Sequence, residues 1–589
     1  MGAFALIDKS GKSCLDMQGI LQTFSNKGFH EPKLFMLGNF ELYLYQKQLV
    51  PVDNYYKIGK NAVYVIGTVI YKGLGYSDTI QQLLVDYMDN KIVYDQLIGS
   101  YCVIFYVNQK IKILNDALNV CKLFHDSGNI IISSSFLAVA NGFRKLTINR
   151  EASIEKLLTG YIVGEETLFN EIRCLIPSTY NGKWNIHKWP DWTIPNADRK
   201  KENSVAGRTE KIKEYFKSIE GFSKEFKPEL GMSGGYDSRL LLAAALDTWP
   251  FKLDMHTHST EGVHIHEVEK KIVQQIAEKT STKLSIVPTH NMDFYDGKEI
   301  ERILLDGYYY FDGRCAYNTG AFSPTYTRKY KLETVSAHLL TLNGLGGEVY
   351  RNYYMNIKPL VSIKQWMKAK VYPDGVDFVI DRHTFRTIHT YICQKMNKYS
   401  SFEWKDFATP FQIKRYYSEM RMPYCDSLNC NAHNQMEFYL TPFIERSMIE
   451  DAYKARAFTG LSGEFQAAMI TKLNPTVASF KSHYGFPFSK KEPIKYKSYM
   501  LLRDLLPDSI WNCRINRIVK KNMNNNENRL YFERVREKCE FLKAATEYTE
   551  KLFPEINFDY LRADYAMMPN SSYVSVVFYM LRDKLSTKG

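Results

Sequence analysis

The first 190 residues carry the hydrophobic pattern of a sheet-rich domain. Short apolar or alternating runs recur there, separated by polar or Gly-containing turns, which is typical of β-strands. Strands are predicted at residues 3–7, 34–37, 62–71, 101–107, 111–114 and 130–133, and helices at 79–87 and 154–159. This pattern predicts a sheet-rich α+β domain covering residues 1–195.

A different pattern begins near residue 205. Residues 183–204 contain two prolines, a charge cluster and no periodicity, so we interpret them as a linker. Strands are then predicted at 228–232, 251–256, 284–287 and 336–342, and helices at 208–217, 239–246 and 267–279. This alternation predicts a second domain at 205–589, an α/β doubly wound parallel sheet with a mainly helical extension beyond 360.

Composition narrows the class of protein. The chain has 589 residues, 45% hydrophobic and 14% aromatic, which excludes a disordered or collagen-like protein. No apolar run reaches the roughly 18 residues of a membrane span, and Asp8 interrupts the first apolar segment before a signal-peptide core can form. We therefore expect a cytoplasmic protein with no membrane partner.

Charge and cysteine content give weaker indications. The formal net charge is +13, and most of it lies beyond residue 200. We interpret these charges as part of a solvated surface, and the alternative is a binding site for an anionic ligand or acidic partner. No nucleic-acid-binding motif is present, so no nucleic-acid partner is expected. The ten cysteines form no CxxC pair and no zinc spacing, so we predict reduced thiols and assign them no metal.

The strongest chemical signal is the segment SGGYDS between a short apolar strand and a helix-forming run. Its residues are Met232, Ser233, Gly234, Gly235, Tyr236, Asp237 and Ser238, counting the methionine before it. Glycines let the backbone approach a ligand, and successive N–H groups at a helix N-terminus attract anions. A carboxylate beside a phosphate requires a divalent cation between them. The alternative interpretation is an ordinary Gly turn with an acidic helix cap.

This segment differs from the Walker A motif and resembles the pyrophosphate loop of the PP-loop ATP pyrophosphatases. Those enzymes cleave ATP between the α and β phosphates and leave AMP on the substrate. The resemblance implies ATP as co-substrate, Mg²⁺ as cofactor and adenylation as the reaction. Thr257 lies at the C-terminal end of the next strand and is a candidate nucleotide contact, with a purely structural role as the alternative. Arg239 is either a phosphate contact or an ordinary helix-start arginine.

A second Gly-rich segment, NGLGGE, follows another apolar strand. It resembles the SGEGxDE signature of asparagine synthetases, with Glu348 at the first acidic position and Val349 in place of the second. The resemblance implies that Gly344 and Gly346 contact the nucleotide and that Asp237 and Glu348 hold Mg²⁺. The alternative is that residues 344–347 form only a loop.

The resemblance to asparagine synthetases extends along most of the chain. QLIGSYCVIFYVNQKIKILNDALNVCKLFH, IISSSFLAV, YLTPFIERSMIEDAY and FKSHYGFPF resemble family segments in the family's order. It implies that residues 1–195 form an Ntn-like sandwich, the class II glutamine amidotransferase domain, in front of a synthetase domain. The family's N-terminal nucleophile is missing, since the chain begins Met1-Gly2-Ala3-Phe4, and its oxyanion segment is reduced to Gly67-Thr68. We expect a first domain without glutaminase activity, an unrecognised nucleophile being the alternative.

Function follows from this combination. Lasso-peptide cyclases and β-lactam synthetases resemble asparagine synthetase, carry an inactive first domain, and use an amine on their own substrate. We expect an ATP-dependent, AMP-forming amide ligase acting on a small-molecule or peptide carboxylate, which in the lasso case implies a precursor peptide and a partner protease. The alternatives are an enzyme that uses free or partner-supplied ammonia on a sugar acid or small metabolite, and a non-catalytic scaffold.

The second chemical step is harder to assign. A cation must stabilise developing negative charge and a base must deprotonate the amine. By resemblance to β-lactam synthetases, Lys472 and Lys481 are candidates for the cation, with plain surface charge as the alternative for each. Residues 256–258 lie where adenine could stack, and Glu269 lies near a family acid position. No residue is assigned as the base.

Overall fold

The computed structural model describes residues 2–260, 263–314, 325, 327–334, 339–354 and 358–586. Within these ranges, antiparallel sheets fill the first part of the chain, and a five-stranded parallel sheet with many helices fills the second. The fold is therefore α/β, as predicted. None of the helices in the described ranges combines the length and the apolar character needed to cross a membrane.

Two antiparallel sheets form the centre of the first part. The six-stranded sheet has the order β12-β10-β11-β1-β3-β2, the four-stranded sheet the order β4-β5-β8-β9, and β6 pairs with β7. Their strands are β1 (Ala3–Asp8), β2 (Lys33–Leu37), β3 (Phe40–Tyr45), β4 (Tyr55–Ile58), β5 (Asn61–Gly67), β6 (Ile70–Tyr71), β7 (Leu97–Ile98), β8 (Tyr101–Val107), β9 (Lys110–Asn115), β10 (Phe124–Asp126), β11 (Ile131–Ser133) and β12 (Ile172–Cys174).

Successive side chains along each strand point to opposite faces of the sheet, so they pack into two different cores. Phe4 and Leu6 of β1 pack with Tyr64 and Ile104 of the other sheet in a core between the two sheets. The intervening side chains face the helices Met17–Asn26, Tyr76–Met88 and Phe136–Asn141 on the outer faces. Phe24 of the first helix, for example, stacks on Tyr45 at 4.2 Å. The result is a helix–sheet–sheet–helix sandwich.

The predicted linker at 183–204 is partly wrong. Trp184 and Ile186 are buried between the two sheets, and Ile186 forms a bridge with Ile113. The helix Lys201–Ser218 begins inside the predicted linker and before its predicted start at 208. The segment has too few apolar residues to show periodicity. Trp184 and Ile186 are nevertheless buried, because they pack against the open edge of the sandwich.

The second part is built on a parallel sheet of order β15-β14-β13-β16-β19. Its strands are β13 (Pro228–Gly231), β14 (Asp254–Thr260), β15 (Leu284–Thr289), β16 (Leu340–Leu342) and β19 (Phe438–Leu440), and a separate pair joins β17 (Val361–Ser362) to β18 (Phe407–Ala408). Strand β14 begins three residues later than predicted, and the predicted residues 336–338 of β16 lie outside the described ranges. Strand β13 is central, the next strands in sequence, β14 and β15, extend the sheet on one side, and β16 and β19 extend it on the other. This order is that of a doubly wound sheet.

Helices dominate the rest of the chain. Besides the three helices named above, those described before residue 360 are Arg150–Thr159, Lys201–Ser218, Glu220–Phe226, Tyr236–Thr248, His264–Thr280, Gly297–Tyr310 and Arg328–Thr334. Later helices are Ile363–Lys370, Val376–Val379, Arg382–Tyr399, Pro410–Tyr416, Ser427–Asn434, Arg446–Lys454, Glu464–Leu473, Pro475–Ser479, Ile494–Leu505, Asp508–Asn522, Glu527–Lys538, Glu540–Leu552, Phe558–Ala563 and Met567–Met580, with a π-helix at Tyr417–Asp426. The helical region beyond 360 is as predicted.

Buried polar contacts join the two parts. Thr68 donates to Asn434 Oδ1 at 2.6 Å and accepts from the backbone N–H of Tyr439 at 3.0 Å. Asp312 receives hydrogen bonds from Lys27 at 2.6 Å and from the hydroxyl of Ser135 at 2.5 Å. Thr68, noted in the sequence as a reduced oxyanion segment, therefore serves as an interface contact.

Candidate active site

The SGGYDS segment joins strand β13 to the helix Tyr236–Thr248, as predicted. The backbone N–H of Ser233 donates to Ser238 Oγ at 3.1 Å, and the two serine hydroxyls are 3.1 Å apart. Gly235 is the N-cap of the helix, and no side chain caps it, so the first N–H groups face the loop. An uncapped helix N-terminus of this kind attracts an anion.

The second Gly-rich segment packs directly on the first. A Cβ atom at Gly344 would lie 2.9 Å from the backbone of Asp237 and Ser238, and one at Gly347 would lie 2.2 Å from Asp237 Oδ1. Gly346 has φ +92°, a conformation that favours glycine. The glycines therefore allow the two segments to meet at Asp237.

Asp237 and Glu348 lie on either side of one guanidinium group. Arg351 Nη2 is 2.6 Å from Asp237 Oδ2 and 3.4 Å from Glu348 Oε1. Gln466 donates to the other oxygen of Asp237 at 2.7 Å, and the hydroxyl of Tyr417 donates to Glu348 at 2.8 Å. Burial raises the pKa of Asp237 to about 6, although Arg351 opposes the shift.

These two carboxylates would suit a divalent cation only together with oxygen ligands from another molecule. Mg²⁺ is usually held by one or two carboxylates together with substrate phosphates. Here one oxygen of Asp237 and one of Glu348 already face the same cation, the guanidinium group of Arg351. Among the described residues no group of three or more His, Cys, Asp or Glu side chains is arranged to hold a metal ion by itself. Phosphate oxygens would have to complete the coordination, and Arg351 would have to move aside.

His483 closes the other side of the loop. A Cβ atom on Gly234 would lie 3.2 Å from His483 Cβ, and the backbone N–H of His483 donates to the carbonyl oxygen of Gly234 at 3.3 Å. His483 Nδ1 lies 3.4 Å from Glu269 Oε1, and the nearby imidazole lowers the pKa of Glu269. Glu269, placed near the site by resemblance, therefore contacts the residue that covers the loop.

A cavity of about 400 Å³ opens beside the loop along one face of the parallel sheet. Its lining is mostly polar and includes both Gly-rich segments and residues from four strands and two helices: Gly231, Met232, Ser233, Asp237, Ser238, His256, His258, Lys331, Thr341, Asn343, Gly344, Leu345, Glu348, Asn429, His433, Glu437 and Tyr439. Glu229, Thr341 and Tyr439 are neighbours across three strands, so their side chains share this face. A polar sheet face is suited to a polar substrate.

Burial sets the protonation of the cavity's ionisable groups. It raises the pKa of Glu437 to about 8, with Lys331 opposing the shift, and Thr341 donates to Glu437 Oε1 at 3.1 Å. It lowers the pKa of His258 to about 2 and that of His433 well below its usual value. Both histidines are therefore neutral near pH 7, while Glu437 titrates close to it.

The structure brings together most of the residues singled out from the sequence. Met232, Ser233, Asp237, Ser238, Gly344 and Glu348 all line the cavity, Gly234 and Gly235 face His483, and His256 and His258 lie on the cavity wall. Thr257 is buried and does not line the cavity. Lys472 and Lys481 have exposed side chains and do not line it either.

Arg239 has a structural position. It is fully buried, donates to the carbonyl oxygens of Phe480 at 2.8 Å and Lys481 at 2.7 Å, and stacks on Phe488 at 4.8 Å. Of the two interpretations open from the sequence, these contacts support the ordinary helix-start arginine. Arg239 holds in place the segment that brings His483 to the loop.

Gly2, next to the position of the family's nucleophile, is tightly enclosed. A Cβ atom there would lie 2.4 Å from the Phe29 ring and 2.5 Å from the carbonyl oxygen of Gln46. A Cβ atom at Gly67 would lie 2.2 Å from the carbonyl oxygen of Ser100. Neither position accepts a larger side chain.

No family model matches the sequence, and no curated protein matches it at a significant level. The resemblance to asparagine synthetases therefore depends on the sequence motifs alone.

Proposed function

We propose that this protein is an ATP-dependent, AMP-forming ligase that adenylates a substrate carboxylate and lets an amine displace AMP. One observation carries the proposal: the SGGYDS loop, the uncapped helix N-terminus behind it and the carboxylates Asp237 and Glu348 face one polar cavity. A PP-loop ATP pyrophosphatase fold for residues 205–589 and an Ntn-like fold for residues 1–195 are part of this proposal. The parallel sheet and the sandwich support them.

In the first step, a substrate carboxylate oxygen attacks the α-phosphorus of ATP, and the bond to the β-phosphate oxygen breaks. The loop N–H groups and the hydroxyls of Ser233 and Ser238 donate to the departing pyrophosphate. When bound, Mg²⁺ would be held by Asp237 and Glu348 and would supply charge neutralisation at the phosphates. Fixed donors of this kind need no reorganisation during the reaction.

In the second step, the amine attacks the acyl carbon, AMP leaves, and the amine loses a proton. Glu437 lies on the cavity wall and has a pKa near 8, so it is the side chain we assign to take that proton. His258 and His433 lie beside Glu437 and are neutral, so neither adds a positive charge next to the attacking amine. The cation for this step is Arg351 or Lys331, the two that face the acids of the cavity.

A second feature favours a peptide over a small metabolite as the substrate. The helices Ile494–Leu505 and Asp508–Asn522 expose apolar side chains, with Ile494 83% and Leu502 64% exposed. Residues 489–522 carry nine Lys or Arg against three Asp or Glu. This basic, apolar helix pair adjoins the site, because Tyr496 packs 6.1 Å from Tyr484, which packs on Tyr236. It offers an extended surface for an acidic peptide.

A direct test measures nucleotide binding and product identity. Calorimetry with MgATP is expected to show binding that weakens about tenfold or more in Ser233→Ala/Ser238→Ala, because phosphate donors are lost. Ser479→Ala, an exposed serine outside the cavity, is the matched control. With carboxylate substrates, phosphorus NMR is expected to show AMP and pyrophosphate.

Release of ADP and orthophosphate instead would contradict the proposal. So would MgATP binding that is unchanged in the double variant. Absence of any nucleotide binding would support the non-catalytic scaffold, an interpretation consistent with Arg351 pairing with both acids.

A further inference from the structure

A second, smaller cavity lies between the two parts of the chain, outside the candidate active site. It has a volume of about 40 Å³ and is lined by residues of both parts, among them Gly2, Lys122 and Phe124 from the first and Asp312, Arg314 and Asn431 from the second. A cavity needs about 10–15 Å³ to hold one water molecule, so this one has room for a small ion. The proposed function does not use it.

One buried and one partly buried cation line this cavity, and neither forms an ion pair within the described residues. Lys122 is 1% exposed, and its Nζ atom has no hydrogen-bond partner among the described residues. The guanidinium group of Arg314 stacks on Phe124 at 4.5 Å, and no carboxylate in the described ranges pairs with it. The segment 315–324 that follows Arg314 contains no Asp or Glu.

The nearby acids are already engaged. Asp312 pairs with Lys27 at 2.6 Å and accepts from Ser135 and from the backbone N–H of Phe136. Asp116 accepts the backbone N–H groups of Val120 and Cys121, each at 2.7 Å, and does not line the cavity. Asp116 and Asp312 therefore act on Lys122 and Arg314 only from a distance, and the buried Lys122 ammonium has no direct partner among the described residues.

Unpaired charges in a protein interior are strongly unfavourable, and they are normally paired, hydrogen-bonded or neutralised. Burial lowers the pKa of Lys122 to about 8, and it also lowers that of Arg314. With a pKa of about 8, Lys122 is mainly protonated at pH 7, and an arginine side chain stays charged in proteins, so the cavity keeps positive charge. A bound anion would compensate the buried charge of Lys122 directly.

We propose that this cavity binds one small monovalent anion, a halide or a one- or two-carbon carboxylate, between Lys122 Nζ and the Arg314 guanidinium. The anion would link the first part of the chain to the second, since Lys122 and Arg314 belong to different parts. A halide and a small carboxylate share the charge and size that the site selects. The proposal is independent of the nucleotide chemistry.

The test compares anions at constant ionic strength. The melting temperature of the full chain is measured in sodium gluconate, which is too large for the cavity, with increasing replacement by chloride, bromide or formate. We expect a saturable rise with the small anions, because a ligand that binds only the folded state stabilises it. A rise with formate but not with chloride or bromide would identify the ligand as a carboxylate, and the reverse would identify a halide.

Lys122→Met is expected to abolish the anion-dependent rise, whereas Lys145→Met, at an exposed lysine, should retain it. If Lys122→Met does not fold, crystals of the unaltered protein soaked in bromide provide the second measurement. An anomalous peak within hydrogen-bonding distance of Lys122 Nζ would support the proposal. No saturable difference among the anions, together with no bromide peak in the cavity, would overturn it.

Discussion

Arg351 decides how the two acidic residues of the candidate site are compensated before a nucleotide binds. Replacing it with glutamine leaves Asp237 and Glu348 close together without a cation, and like charges in one site favour a bound divalent ion. We expect Arg351→Gln to bind Mn²⁺ about tenfold more tightly in the absence of nucleotide, as measured by electron paramagnetic resonance. Arg144→Gln, at an exposed arginine, is the control, and equal affinities in the two variants would contradict this role for Arg351.

Glu437 is expected to make stability depend on pH. Its pKa is about 8 in the folded protein and 4.5 when unperturbed, so the folded state holds a proton that the unfolded chain releases between these values. Stability from this group therefore falls as pH rises through that window. From pH 5 to pH 9, the free energy of unfolding of Glu437→Gln should rise by roughly 4 kcal/mol relative to that of the unaltered protein, as measured by urea unfolding.

The matched control for this change is Glu403→Gln, whose carboxylate is 69% exposed. We expect its stability relative to the unaltered protein to change by less than about 0.5 kcal/mol over the same pH range. A pH profile of Glu437→Gln that parallels that of the unaltered protein would show that Glu437 is already ionised at pH 5.

At the scale of elements, the contact between the two Gly-rich loops tests the assembly of the site. Gly347→Ala would place a Cβ atom 2.2 Å from Asp237 Oδ1, so the carboxylate or the loop must shift. We expect MgATP binding to weaken about tenfold or more in calorimetry. Gly207→Ala, in the helix Lys201–Ser218 with no atom within 4 Å, should leave binding unchanged and stabilise the helix by roughly 0.5–1 kcal/mol. Unchanged binding in Gly347→Ala would rule out the close approach of the loops.

At the scale of the whole molecule, Asp312 connects the two parts of the chain. Its partner Lys27 is 4% exposed, so removing the carboxylate leaves a buried, unpaired ammonium group. We expect Asp312→Ala to lower the free energy of unfolding by about 3 kcal/mol in urea. Asp53→Ala breaks the exposed pair with Lys33 and should cost less than about 1 kcal/mol. Similar losses in the two variants would show that the Asp312 contacts contribute little.

Local patterns in the sequence were enough to predict the sheet-rich first part, the parallel sheet, the helical region and the two Gly-rich loops. Strand alternation, helix periodicity and glycine at tight turns act over a few residues, so they can be read directly from the chain. The limits of elements were less accurate: β14 begins later than predicted, and Trp184 and Ile186 of the predicted linker are buried. Local pattern does not show which apolar residues an open sheet edge will cover.

Only the tertiary structure revealed Arg351, Gln466 and His483 as neighbours of Asp237 and its loop, and Glu437 as a wall of the same cavity. These side chains lie more than 100 residues from Asp237 in sequence. Which of many charged residues meet depends on how the strands are ordered in the sheet and how the later helices pack across it. Lys472 and Lys481 are a further example. Each carries the positive charge that the second chemical step needs, but the fold leaves both side chains exposed and outside the cavity.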